Sequence, residues 1–170
     1  MTTGLELELR SSMSGFLDEL EKFNPATYNQ KPASDAWSAA EVAAHIYIIE
    51  RNGHKIMEAP AVETEREPDK KVALLQAALE DMNTKRVAPD TVRPEGKANA
   101  NLHEAILNLR SQREELIQKI REIDMHLLCE VYPHPSLGRL TRLEWIHFII
   151  HHTRRHTKQL AAIHQVVQEA

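Results

Sequence analysis

The chain is poor in cysteine, glycine and aromatic residues and lacks any long apolar run. Each shortage excludes something. A single cysteine, Cys129, forbids an internal disulfide and any zinc site built from cysteines alone. No apolar run approaches the roughly 18–20 residues of a membrane span. The first residues, MTTGLELELR, carry no basic stretch followed by an apolar one, so no secretory signal is read there. The net charge of −4 leaves no electrostatic footprint for nucleic acid. With 42% apolar and 27% charged residues, 170 residues are enough to bury a core without staples. One soluble, reduced, cytoplasmic domain over residues 1–170 is expected. What the chain has in quantity is histidine, ten of them.

Only five glycines punctuate the sequence, strand-like alternation is scarce, and helical periodicity dominates. The first helix is expected from about Leu5 to Phe23, where Leu9, Met13, Phe16, Leu17 and Leu20 form one apolar stripe. The stretch from Asn24 to Ala36 holds two prolines and reads as a loop. Ser38 and Glu41 make a capping box, with Trp37 and Val42 in the staple positions, and open a helix that runs to about Met57. Glu63 to Lys71 reads as a solvated charged connection, and a shorter helix is expected from Asp69 to Thr84. Residues 87–99 read as a loop, and another long helix spans Asn101 to about Asp124. After a turn-rich connector, Tyr132 to Gly138, a second capping box, Thr141 with Glu144, opens the last helix. Leu140 and Trp145 are its staple pair, and the helix runs to Glu169. The fold class is therefore all-α: a four-helix bundle whose long central connection is a crossover carrying an additional short helix.

An α-helix advances about 100° per residue, so its histidines can be sorted by angle. With His152 at zero, His156 lies at about 40°, Trp145 at about 20°, Ile149 at about 60° and Phe148 at about −40°. His152 and His156 thus occupy the middle of the apolar face. His147, His151 and His164 fall at its edge or away from it. On the second long helix His45 shares a face with Val42, Ile49 and Ile56, while His54 lies half a turn round and is expected to face outward. Two imidazoles at i and i+4 can share one metal, and a third from a facing helix leaves one coordination position open. Without a metal, three buried imidazoles would each need a hydrogen-bond partner.

The stretch Trp37-Ser38-Ala39-Ala40-Glu41-Val42-Ala43-Ala44-His45 resembles the W-S-x-x-E-(apolar)-x-x-H signature of the DinB/YfiT-like superfamily. The stretch from His134-Pro135 through Gly138-Arg139-Leu140-Thr141 and Trp145 to His152-x-x-x-His156 and Gln159-Leu160 resembles its C-terminal signature. The resemblance implies a four-helix bundle with a long crossover, often a homodimer. It also implies a divalent metal, zinc or nickel, on His45, His152 and His156. Members of that family resemble thiol-dependent S-transferases that use a low-molecular-weight thiol, or metal-dependent hydrolases, so a small-molecule substrate is implied. A non-catalytic bundle that binds a metal or small ligand is the alternative.

Other side chains have weaker claims. Glu41, one turn before His45, is the only candidate general base, and its capping-box place already accounts for it. Gln159 and Asn52 could line a pocket. Arg154 and Arg155 could meet an anionic substrate, although solvation accounts for such charges equally well. His151 could be a gate or an additional ligand. His134 is expected to fix its loop by hydrogen bonding. Cys129 reads as a small apolar filler, and packing accounts for both tryptophans.

Overall fold

Three of the long helices start at a side-chain cap. In the computed structural model, which describes residues 2–170, α1 spans Thr2–Leu20, α2 is the single turn Pro25–Tyr28, and α3 spans Ala39–Glu58. The crossover holds the two-residue strand β1 (Ala61–Val62), α4 (Val72–Glu80) and a 3-10 turn, Asp90–Val92. Then come α5 (Leu102–Glu122), the two-residue strand β2 (Leu128–Cys129) and α6 (Arg142–Glu169). Both expected capping boxes form. Ser38 Oγ accepts from the Glu41 N–H while Glu41 Oε2 accepts from the Ser38 N–H at 2.8 Å. Thr141 and Glu144 exchange the same pair of bonds, and Asn101 caps α5. Such caps are each worth about 1 kcal/mol.

The loop expected over residues 24–36 contains α2. Asn24-Pro25 acts there as a helix start, with Asn24 Oδ1 accepting from the Ala26 and Thr27 N–H groups and proline at the first helical position. The turn seats Tyr28, fully buried, against the core.

Ion pairs between helices define the topology. Glu6 pairs with Arg121 and Arg10 with Glu114, so α1 and α5 are antiparallel. Glu50 pairs with Arg113 and Glu58 with Lys119, so α3 and α5 are parallel. Glu8 meets Arg154 while Phe23 meets His164, so α1 and α6 are parallel. α1 packs on α5 and α6, and α3 packs on the same two helices. Two parallel helices in succession, α3 and α5, require a crossover, and residues 59–101 provide it. Residues 63–71 are largely exposed, as expected, but the segment is also anchored to the bundle. Arg66 reaches Glu144 with two bonds of 2.7 Å, and Thr141 Oγ1 donates to the Pro68 carbonyl. Glu144 is wholly buried. Burial opposes its charge, yet Arg66 and the Thr141 and Lys71 N–H groups hold its carboxyl below the usual range. β1 pairs antiparallel with β2, which ties the start of the crossover to the α5–α6 connection.

α4 is shorter than expected and covers α6. It stops because Arg155 of α6 takes the Leu79 and Asp81 carbonyls, Arg86 takes that of Ala78, and the Asp81 side chain turns back to Asn83 and Thr84.

The core falls into two apolar clusters. One lies around Phe16, Ile46, Leu109 and Ile163, the other around Leu9, Met57, Leu116 and Ile149. Between them is a polar layer. Arg113, 2% exposed, donates to both carboxylate oxygens of Glu50, to the Leu9 carbonyl, to Ser12 Oγ and to Thr153 Oγ1. All five guanidinium protons are used, and one side chain binds groups of α1, α3 and α6. Removing one partner of such a pair strands the other charge, at about 3–5 kcal/mol. Arg113→Ala and Glu50→Ala should each lower unfolding stability by about that much in urea titrations. Glu50→Leu with Arg113→Met should recover a large part of it, whereas additive losses would contradict the pairing.

Candidate metal centre

Just beyond the polar layer, α3 and α6 bring three histidines together. His45, His152 and His156 are 3%, 8% and 8% exposed. His45 Nε2 lies 3.2 Å from His152 Nε2, and His156 Nε2 lies 3.1 Å from the same atom. On the other side of the polar layer the two helices approach closely: a Cβ on Gly53 would stand 2.7 Å from Ile149 Cδ1.

The outer nitrogens settle the tautomers. His45 Nδ1 is 2.6 Å from the Val92 carbonyl, which can only accept, so that nitrogen carries the proton. His156 Nδ1 donates in the same way to Gln159 Oε1 at 2.6 Å. Both Nε2 atoms therefore present lone pairs inward when their rings are neutral. A single proton on His152 Nε2 could satisfy only one of them. The Nδ1 of His152 is buried with no hydrogen-bond partner in the protein. Three convergent lone pairs are a poor hydrogen-bond arrangement and a good cation site. The ligand atoms lie within 4.8 Å of one another, and these residues could hold a metal ion. A tetrahedral zinc with nitrogen ligands at about 2.05 Å needs N···N separations of about 3.3 Å, close to the two that His152 Nε2 makes with His45 and His156. Carbonyl partners on the outer nitrogens are the usual device that fixes such ligands.

Burial lowers the basicity of all three rings. Burial and its neighbours His156, His45 and Arg155 hold His152 well below the usual range. Burial, with His45 and Arg155, brings His156 down to about 3 against the Gln159 bond that opposes it. His45 is also lowered, by burial against the Val92 bond. Neutral imidazole is the form that ligates.

Residues 8–160, which include all three histidines, match the DinB superfamily. The chain belongs to that superfamily. It is 31% identical over 160 residues to the uncharacterised protein YuaE of Bacillus subtilis (strain 168), covering 90% of this chain and 93% of YuaE. The fold is similar to that in the crystal structure of TT2238, a four-helix bundle protein, with a TM-score of 0.59 at 18% identity. That likeness covers 95% of this chain and 99% of TT2238. No helix is long and apolar enough to cross a membrane among the described residues.

Several neighbours of this DinB-superfamily site were not visible as such in the sequence. Trp37 does more than pack: its ring lies 5.0 Å from that of His45 and 6.4 Å from that of His156, with its Nε1–H on Glu95. Phe148, one turn before His152, stacks on it at 5.2 Å. Val92 comes from the crossover, where no local pattern marks it as a partner of His45. Gln159 is the partner of His156, and its i+3 spacing was the available signal. Glu41 is committed to its cap and to Lys31 at 3.3 Å. Asn52 is half-buried on α3. His134 fixes its loop, its Nδ1 accepting from the Ser136 and Leu137 N–H groups across a turn closed by Gly138 at φ 66. Cys129 is buried, and burial raises its thiol to about 11, so it offers no nucleophile.

The angular sorting misplaced other histidines. His151 is 4% exposed because α4 covers that side of α6, which a one-sided helix reading cannot foresee. His147 is half-buried on the same side. His54 does not face outward; its Nε2–H donates to the Gln112 carbonyl of α5. His164 packs edge-on against Phe23. Arg155 is tied to the end of α4, and Arg154 meets Glu8 at 3.4 Å.

The lowered histidines set a pH dependence for metal-free protein. Each binds a proton in the unfolded chain below about 6.5 but not in the fold, so stability is full above that pH and falls as pH drops towards the folded values. Chelator-treated protein should lose stability across this window, and His156→Gln should flatten the slope by up to ~1.4 kcal/mol per pH unit. An unchanged slope in denaturant titrations would refute the assignment of a neutral buried His156.

Proposed function

We propose that His45, His152 and His156 hold one divalent metal ion, zinc or nickel, and that the bundle is a metal-dependent enzyme acting on a small molecule. The observation that carries this is the convergence of three Nε2 atoms, on rings two of which, His45 and His156, already have their outer nitrogens committed to Val92 and Gln159. Bound there, the ion would supply a Lewis acid with an open position and lower the pKa of a ligating thiol or water. The protein's own share is to keep the imidazoles neutral, to fix their tautomers and to wall the site with Trp37 and Phe148. The carboxylates that could serve as a base, Glu41 and Glu95, are engaged with Ser38 and Lys31, and with Trp37. That favours a transferase using a low-molecular-weight thiol over a hydrolase, because a ligating thiol is deprotonated outright whereas ligating water titrates only at about 7 and gains more from a protein base. With Cys129 buried, the thiol comes from a cosubstrate. A homodimer belongs to the same proposal. It would cover apolar side chains such as Leu7 and Leu74, which are 62% and 58% exposed. A cytoplasmic, reducing location fits a lone unpaired cysteine.

Metal-stripped protein should take up one tight equivalent of zinc or nickel and gain thermal stability in proportion. Gln159→Leu should weaken that equivalent about 10–100-fold while leaving the helical signal intact. Wild type that takes no metal would end the proposal.

Loaded protein should conjugate a low-molecular-weight thiol to an electrophile, and His152→Ala should abolish the reaction. Tight metal binding with no turnover on any thiol would leave a metal- or ligand-binding bundle instead.

A further inference from the structure

The side of α6 that faces α4 carries a second histidine pair, which the triad does not use. His147 and His151 stand at i and i+4, their rings 6.1 Å apart and nearly parallel at 18°. The Nδ1 atoms of both are buried and neither has a hydrogen-bond partner in the protein. Buried imidazole nitrogens are ordinarily bonded, so two orphans one turn apart call for a ligand. His151 is only 4% exposed, and Glu80 Oε1 of α4 stands 3.9 Å from its Nδ1, too far for a hydrogen bond.

The surrounding charges are of both signs. Glu8 from α1 and Glu80 from α4 place negative charge near His151, and Glu8 and Asp69 place it near His147. Arg154 on α6 is the opposing cation, and it is partly neutralised by its own contact with Glu8 at 3.4 Å. Two imidazole nitrogens one turn apart, with a carboxylate 3.9 Å from one of them, supply nitrogen and oxygen donors of the kind that zinc accepts.

We infer that His147, His151 and Glu80 form a second divalent-cation site, bridging α6 and α4, separate from the His45–His152–His156 triad. Occupancy would draw the carboxylate from 3.9 Å towards the two nitrogens and pin α4 to α6. The site is less pre-formed than the triad, where the rings of His152 and His156 already stand 4.4 Å apart, so it binds more weakly. The inference does not depend on the triad holding a metal.

Zn2+ alone is the probe, titrated by calorimetry into untagged, chelator-stripped full-length protein at neutral pH. Two equivalents are expected, the second at least tenfold weaker than the first. His147→Asn with His151→Asn should remove the weaker equivalent. Glu80→Gln, a change at a half-exposed side chain that the fold tolerates, should weaken it tenfold or more, with the tight equivalent unchanged within about twofold in both variants. His45→Gln, by contrast, should weaken only the tight equivalent. A single equivalent in wild type, or a weaker one that survives Glu80→Gln unchanged, would overturn the second site. Should the double variant fail to fold, Glu80→Gln decides alone. Loss of affinity in the Glu80 variant with none in His45→Gln would keep this site and reject the triad.

Discussion

One guanidinium holds the bundle in register. Arg113 sits at mid-height on α5, bonded to Glu50 of α3, to Leu9 and Ser12 of α1 and to Thr153 of α6. An apolar seam tolerates sliding by a turn, because one leucine replaces another at small cost. A buried charge does not, since a shift of one turn would strand it without partners. The layer therefore serves specificity more than net stability, and it has a consequence for the site. Thr153 adjoins His152, and Glu50 lies little more than a turn beyond His45, so fixing the first pair sets the height at which the histidines meet.

The crossover is the second determinant. It takes the chain from the end of α3 back to the start of α5, and on the way it supplies parts that the four long helices lack. The Val92 carbonyl orients His45, α4 buries the far side of α6, and Arg66 and Lys71 latch onto Glu144 at the head of α6. This explains why a segment rich in prolines and charges is ordered. Its backbone groups are spent on the bundle. It also explains why α6 is buried round most of its circumference, with polar residues such as Glu144, His151 and Thr153 inside.

Much of this was legible in the residues. Capping boxes at Ser38 and Thr141 place two helix starts within a residue, because a side-chain oxygen three residues before its partner has one local use. The angular test isolates His45, His152 and His156, because a helix face is a property of spacing. The signs that were passed over are also instructive. The apolar rhythm of α5 breaks between Leu109 and Leu116, and Arg113 stands in the gap. Charge at a seam position is the mark of a buried pair, yet a charged residue reads by default as solvated. Asn24-Pro25 resembles a chain break and is a helix cap. Trp37, Val92 and Phe148 entered the site only when distant segments met.

The sequence by itself therefore determined the four long helices, the caps of α3 and α6, the inward histidines and the need for a crossover, since all of these follow from short-range geometry and connection length. Only the tertiary structure decided which carbonyl orients His45, which charges are buried, and that His147 and His151 lie beneath α4. Those outcomes depend on contacts between residues 40 to 104 positions apart. No periodicity along the chain encodes such partners, because they are chosen by the packing of whole helices against one another.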